Sequence, residues 1–312
     1  MTRPRSRPSD NTAPAPRRYW TAGLALAAAL IAPALAHATA VDAYYERSVM
    51  AAANQRCGLF NPQLASALAS SQAQARGAAL RSGATSTGLA QVEQRARGKA
   101  WGVACTSADI VKAADRVRAA FDGYSKLQRM SFPGDTADWQ AVRDTSRRAP
   151  IWKLSQAERF GWDNLIFGLA GQGDARVLLA VANFSDNAQP YAARLVMRDT
   201  SRAPEPYLNV IQANSKGRLP LSARTPPRSA TRAYLAEARA DADAALLPAG
   251  ARSGIAFRFP AAAAAAMADL DPREAVAVEF VFGGAGADQV RTAYVEVGDF
   301  AAGRAFLTTA QR

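Results

Sequence analysis

The feature that most constrains the fold is a change of hydrophobic period part-way along the chain. Between residues 42 and 129 apolar side chains recur every three to four positions, the spacing of a helix face. From residue 164 onward they fall in short alternating runs bounded by turn residues, the spacing of strands. Four helices are expected first. One runs over Asp42–Arg56 and stops at Gly58; a second starts at Asn61-Pro62, an N-cap followed by a first-turn proline. A third carries Leu89, Val92, Ala96, Ala100 and Val103. A fourth opens at Thr106, which with Asp109 resembles a capping box. The strand candidates are 165–169, 176–183, 192–198, 207–211, 231–238, 254–259, 275–282 and 289–297. A helix after Pro260 and a short one over Asp299–Leu307 interrupt or follow them. The fold class expected is α+β, a small helical bundle followed by an antiparallel β-sandwich.

Two cysteines test the bundle. Cys57 follows the first helix and Cys105 the third, and in an up-and-down bundle these helices end at the same pole. A disulfide between them is therefore expected, and closing a loop of that length stabilises a fold by about 4 kcal/mol.

The first forty residues read as an export signal. Arg17-Arg18 precede an apolar run from Trp20 to Ala36, and Ala36-His37-Ala38 and Ala38-Thr39-Ala40 each offer a small-residue cleavage site. The organisation expected is a signal peptide over 1–38 (cleavage after 38 or 40), a helical region over 39–131, a connector over 132–163 and a sandwich over 164–312. The destination is the periplasm or the exterior, by the general secretory route in preference to the twin-arginine one, with no membrane span after cleavage. An oxidising destination favours the disulfide.

Cleavage would also remove His37, the only histidine, and with it imidazole acid–base chemistry, His-assisted nucleophiles and His-metal sites. Two thiols alone do not build a zinc site, and no cofactor or metal is expected. Nor does serine chemistry find its base in lysine: none of Lys99, Lys112, Lys126, Lys153 or Lys216 has a serine three positions before it. The glycine-rich segments 168–173 and 283–286 lie between strands and read as hairpin turns, since a phosphate loop must lead into a helix. Removing residues 1–38 takes away five arginines and one aspartate, so the formal net charge falls from +12 to about +8. Outside the cytoplasm a basic surface meets envelope anions and glycans and not nucleic acid.

The stretch 132–163 is the least generic. It holds Trp139, Trp152 and Trp162 with Arg143, Arg147, Arg148, Lys153 and Arg159 interleaved. Aromatic faces beside guanidinium groups bind sugars or anionic headgroups, and the same rings can glue two halves of a molecule together. Packing is the favoured role, with at least two of the three rings buried. Any binding face is expected among Trp139, Trp152, Trp162, Arg147, Arg148 and Arg159. Asp135 and Asp138, beside Pro133-Gly134 and Trp139, are the one candidate pair of hydrolytic carboxylates. They read more readily as a turn-and-cap pair at the start of a helix. Glu296 and Asp299 read as a strand-surface residue and a helix cap.

The ending, Val295-Glu296-Val297 then Gly298-Asp299-Phe300 and an Ala-containing helix, resembles the close of small periplasmic sandwiches such as the invasion-associated locus B family. The resemblance covers roughly twenty to thirty residues, and this half of the chain lacks cysteine. It implies a secreted, non-catalytic β-sandwich and assigns no functional residue. The expectation is a non-catalytic binding or interaction module of the envelope, its partner an anionic or glycan component or another envelope protein. The alternative is a carboxylate-dependent hydrolase of envelope glycans acting through Asp135 and Asp138.

Overall fold

A computed structural model describes residues 32–208 and 219–308. Residues 1–31, which carry most of the leader, lie outside this range, as does most of the candidate strand 207–211. Four helices come first: α1 (Ala32–Cys57), α2 (Pro62–Arg81), α3 (Ser86–Trp101) and α4 (Ala108–Phe121). The first begins ten residues before the expected Asp42 and includes the two cleavage positions. Asn61 caps α2 by accepting from the Leu64 amide (2.8 Å), with Pro62 at the first helical position. Thr85 caps α3, accepting from the Gly88 amide. The cap of α4 is Ser107, not Thr106, and it accepts from the Ile110 amide. Cys57 and Cys105 are bonded to each other (Cα–Cα 5.7 Å), so the ends of α1 and α3 meet as the up-and-down arrangement requires.

Eleven strands follow among the described residues: β1 (Arg129–Phe132), β2 (Trp139–Val142), β3 (Ile151–Phe160), β4 (Asp163–Gly171), β5 (Val177–Asn183), β6 (Ala192–Arg198), β7 (Thr231–Leu235), β8 (Ala238–Asp241), β9 (Ile255–Phe259), β10 (Ala275–Phe282) and β11 (Gln289–Glu296). They form two antiparallel sheets, one ordered β1-β2-β3-β4-β5-β9-β8 and the other β11-β10-β6-β7. The two enclose one core. Leu154, Phe167, Leu178 and Phe257 enter it from the larger sheet, and Leu195, Val278, Phe280 and Val295 from the smaller. The ring of Phe280 lies within 5.7 Å of those of Phe160, Phe184 and Phe257. Each fully buried phenylalanine of this kind stabilises the fold by roughly 1.5–3 kcal/mol.

The stretch read as a connector is folded differently from that expectation. Residues 129–160 are the first three strands of the larger sheet, joined by hairpins in register from Phe132↔Trp139 to Phe160↔Asp163. The segment 133–138 is a hairpin loop and not the start of a helix, so Asp135 caps no helix and Asp138 faces no helix dipole. The two glycine-rich segments differ: 283–286 sit in the β10–β11 hairpin, whereas 168–171 are the last residues of β4 and only 172–173 lie in the turn towards β5.

Two short helices complete the sandwich. The first, α5 (Ala261–Ala268), leads from β9 towards β10, and α6 (Phe300–Leu307) packs against β1–β3. Phe300 lies 5.0 Å from the Trp139 ring and Phe306 lies 5.7 Å from Phe132. Gly303 lets α6 approach closely, because a Cβ there would fall 2.5 Å from Leu154. The other side of α6 receives α2. The Ser70 hydroxyl donates to the Ala302 carbonyl (2.8 Å), and the Tyr124 hydroxyl donates to Ser70 Oγ (2.7 Å). Arg81 pairs with Asp299 at 2.8 Å. The C-terminal helix is thus the joint between the helical region and the sandwich. Among the described residues no helix is long and apolar enough to cross a membrane.

Candidate functional site

One groove of about 760 Å³ opens on the sandwich where the β3–β4 hairpin meets β11 and the segment 220–222. Its shape begins with a two-residue turn. Gly161 takes φ +61° at the first loop position, where a type II′ turn favours glycine. The second loop position is Trp162, which the strand pair Phe160↔Asp163 holds out at the tip, 88% exposed. An indole this exposed gains nothing from the core, whereas Phe160 and Phe167 of the same hairpin pack on it.

The floor beside Trp162 is held by charge. Asp163 is buried and accepts from the Ser185 amide (2.9 Å) and from Arg291 (3.1 Å). Arg291 also reaches Asp186 at 2.5 Å and lies over the rings of Phe282 and Phe184. That guanidinium holds the Asp186 carboxyl down at about 2, with the Ala188 amide assisting, and the two acids raise Arg291 above the usual range. Ser185, Ser222, Thr292 and Tyr294 add hydroxyl groups to the wall.

Glu158 is the one acid of the groove without such a partner. Its Oε1 is shielded from solvent and meets no hydrogen-bond partner among the described residues. Burial pushes its carboxyl up to about 7, and the neighbouring Glu296 carboxylate adds to the shift. Near neutral pH, then, Glu158 carries a proton in a large fraction of molecules, and it presents a hydroxyl donor as readily as an acceptor.

Glu296 itself is caged. Fully buried at the end of β11, it accepts from the amides of Asp135 (2.7 Å), Thr136 (2.7 Å) and Ala137 (3.2 Å) and from the Thr136 hydroxyl (2.6 Å). Arg224 bridges it to Asp135, at 3.4 and 3.2 Å. Gly134 makes the cage possible, since a Cβ there would sit 2.2 Å from the Ala137 carbonyl and 2.7 Å from the Glu296 carboxylate. The Pro-Gly-Asp-Thr loop is thus an anion nest already filled by the chain's own carboxylate. Glu296 is therefore a core anchor and not a strand-surface residue. Asp299 stands at the N-cap position of α6 yet caps nothing with its side chain; its carboxylate binds Arg81 instead.

The three connector tryptophans do not share a face. Trp139 is buried and donates its indole N–H to the Val297 carbonyl (2.9 Å). Trp152 is partly buried and donates to the Leu246 carbonyl (3.1 Å), on the outer face of the larger sheet with Val181. Only Trp162 is presented, and Arg159 is the one predicted cation that lines the groove with it. Arg147 is exposed on the β2–β3 loop, paired with Asp144 at 3.1 Å, and Arg148 is exposed beside it. Arg143 and Lys153 are buried; Arg143 donates to the Phe306 carbonyl at the end of α6 (2.8 Å), and Lys153 donates to the Asp144 carbonyl. Asp135 and Asp138 do not converge: the first faces Arg224, the second is exposed and accepts from Ser131, and neither lines the groove.

Glu158, Arg291 and Tyr294 were not singled out from the sequence. No sequence signal pointed to Glu158, because the strand that turns it inward, β3, was not recognised. No family model matches the chain, and neither a curated protein nor a solved structure matches it.

Proposed function

We propose that this is an exported, non-catalytic binding module of the cell envelope whose ligand is a glycan seated in the groove against Trp162. The observation that carries the reading is the indole held outward on a tight hairpin beside a groove walled by hydroxyls, a guanidinium and one uncompensated carboxyl. A sugar ring offers an apolar face to an indole and hydroxyls to such walls, which is the mixture this groove supplies. The leader sequence supports an envelope destination, where glycans are abundant.

One feature favours a second reading. A carboxyl held near 7 is suited to general-acid work, as a glycosidase requires. Hydrolysis needs a second carboxyl facing the same bond. Asp163 and Asp186 are tied to Arg291, and Glu296 is enclosed by the donors of residues 135–137 and by Arg224, so binding is the better supported role.

The test is co-sedimentation of the mature protein with isolated peptidoglycan sacculi, together with titration by soluble glycan fragments. Trp162→Ala should weaken binding about tenfold, the equivalent of about 1.4 kcal/mol, and leave the melting temperature unchanged because the ring packs on nothing. Equal retention of wild type and variant would overturn the assignment. Release of reducing ends that Glu158→Gln abolishes would favour the hydrolase.

A further inference from the structure

We infer that the cleft between α1 and α4 is a second binding site, for a single-chain fatty carboxylate. The cleft holds about 360 Å³ and exists because α1 packs mainly on α2 and α3, leaving α4 to lean away from it. Its floor is apolar, with Met50 and Leu68 both buried. Val49, Val117 and Phe121 form its sides and are only half-covered, although they lie at the helical spacing of a core face. An α4 that served the bundle alone would cover Val117 and Phe121 fully; here they pack on the cluster of Met50, Leu68 and Ala114 on one side and leave the other open to the cleft.

The mouth decides the headgroup. Arg47, Lys99 and Arg116 come from three different helices and ring it, against the single acid Glu46. Arg47 is half-buried and donates to the Ser71 carbonyl (3.3 Å), with no ion pair among the described residues. Burial lowers its affinity for the proton, and the neighbouring Glu46 offsets this only in part. Lys99 and Arg116 likewise make no ion pair among the described residues. Neither a cationic nor a neutral head would relieve this excess of positive charge; a carboxylate would. The volume sits at the low end of ligand pockets, room for one acyl chain and not two. The concave shape takes a chain lengthwise between helices, which a flat membrane contact does not require.

The experiment is calorimetric titration of the mature protein with laurate below its micellar concentration, compared with dodecyltrimethylammonium and with phosphatidylglycerol vesicles. Laurate should bind one to one, at least tenfold more tightly than the cation of equal chain length. Lys99→Glu combined with Arg116→Glu should cancel that preference; both side chains are exposed, so the fold is retained, as circular dichroism would verify. Val117→Trp should fill the cleft and abolish laurate binding while retention on sacculi persists. Equal affinity for both headgroups, laurate binding unaffected by these substitutions, or association with vesicles alone would each overturn the inference.

Discussion

The helical region and the sandwich solve the same problem with different means. The sandwich has one continuous core, in which phenylalanines from both sheets and from α6 touch in series. The helical region has three small clusters, and alanines make up much of each: Ala75, Ala79 and Ala84 in one, Ala52, Ala53 and Ala100 in the next, Ala114 in the third. Each buried CH₂ is worth about 0.8 kcal/mol, so an alanine interface contributes little per residue. Such a bundle needs help from outside its own packing. It has two sources, the Cys57–Cys105 bond across α1 and α3 and the docking of α2 on α6. Stability is therefore intrinsic to one region and borrowed in the other.

The largest expected effect tests the intrinsic side. Trp139→Ala removes a ring packed on Phe167 and Phe300 and one of two donors to the Val297 carbonyl, which keeps the Phe300 amide, and it should cost about 5 kcal/mol. Denaturant unfolding followed by far-ultraviolet dichroism measures it; a loss below about 2 kcal/mol would mean that the core closes over the gap. Next comes the borrowed side. Replacing Cys57 and Cys105 by serine releases a crosslink between positions 48 residues apart, an expected loss of about 4 kcal/mol. Hydrogen exchange should place that loss in α1–α4 and leave β3–β5 protected. Uniform loss across both regions would show that they unfold as one unit and erase the contrast.

The joint between them should give a smaller effect. Arg81→Ala leaves Asp299 buried against α2 without its cation. Breaking a buried pair costs about 3–5 kcal/mol, and the partial exposure of Arg81 brings the expectation to about 3. The measurable consequence is a split of one thermal transition into two. Gly77→Ala should act in the same direction, because its Cβ would fall 2.4 Å from the Asp299 carboxylate.

The two regions also differ in how legible they were. The helices could be read from period and caps because their signals are local: Asn61 with Pro62 begins α2, and the 3–4 spacing of Leu89, Val92 and Ala96 marks α3. The error at α4 was one residue, Thr106 for Ser107, two hydroxyl residues competing for the same cap. From β4 onward the strands were visible except at 231–238, where the chain ends β7 at Leu235 in the smaller sheet and begins β8 (Ala238–Asp241), exposed throughout, in the larger. The longer stretch that escaped was β1–β3, for three physical reasons. The first two are four residues long and separated by Pro-Gly. A bulge between Trp152 and Leu154 shifts the alternation of β3. The inward positions that follow hold Gln156 and Glu158, so hydropathy there has no period of two. Gln156 is inward because it is bonded at both ends, accepting from the Glu296 amide and donating to the Ala137 carbonyl. No local pattern reports partners that far away in sequence. The candidate site was half legible for the same reason: Trp162 and Arg159 stood in the aromatic stretch, while Arg291 and Tyr294 reach the groove only because β11 of the smaller sheet packs against β3 of the larger.

Glu158 gives the smallest effect and the one that links stability to the groove. Its carboxyl titrates near 7 in the folded protein and near 4.3 when unfolded. Below about pH 4 both states hold the proton and the residue is neutral in its effect. As the pH rises from there to 7 the unfolded chain releases its proton and the folded one retains it, so stability falls across that window and levels off above it. The residue is only half-buried and water screens part of the penalty, which sets the expected loss at about 1–2 kcal/mol. Asp299 and Glu274 are raised too, so the absolute curve mixes several groups. The informative quantity is the difference between wild type and Glu158→Gln. The glutamine variant keeps the shape, cannot ionise, and should gain on wild type between pH 5 and 7.5. Curves that stay parallel over this range would place the titration elsewhere and leave Glu158 an ordinary surface acid. Curves that converge when sacculi or a soluble glycan is added would show that the ligand supplies the partner that Oε1 lacks in the free protein.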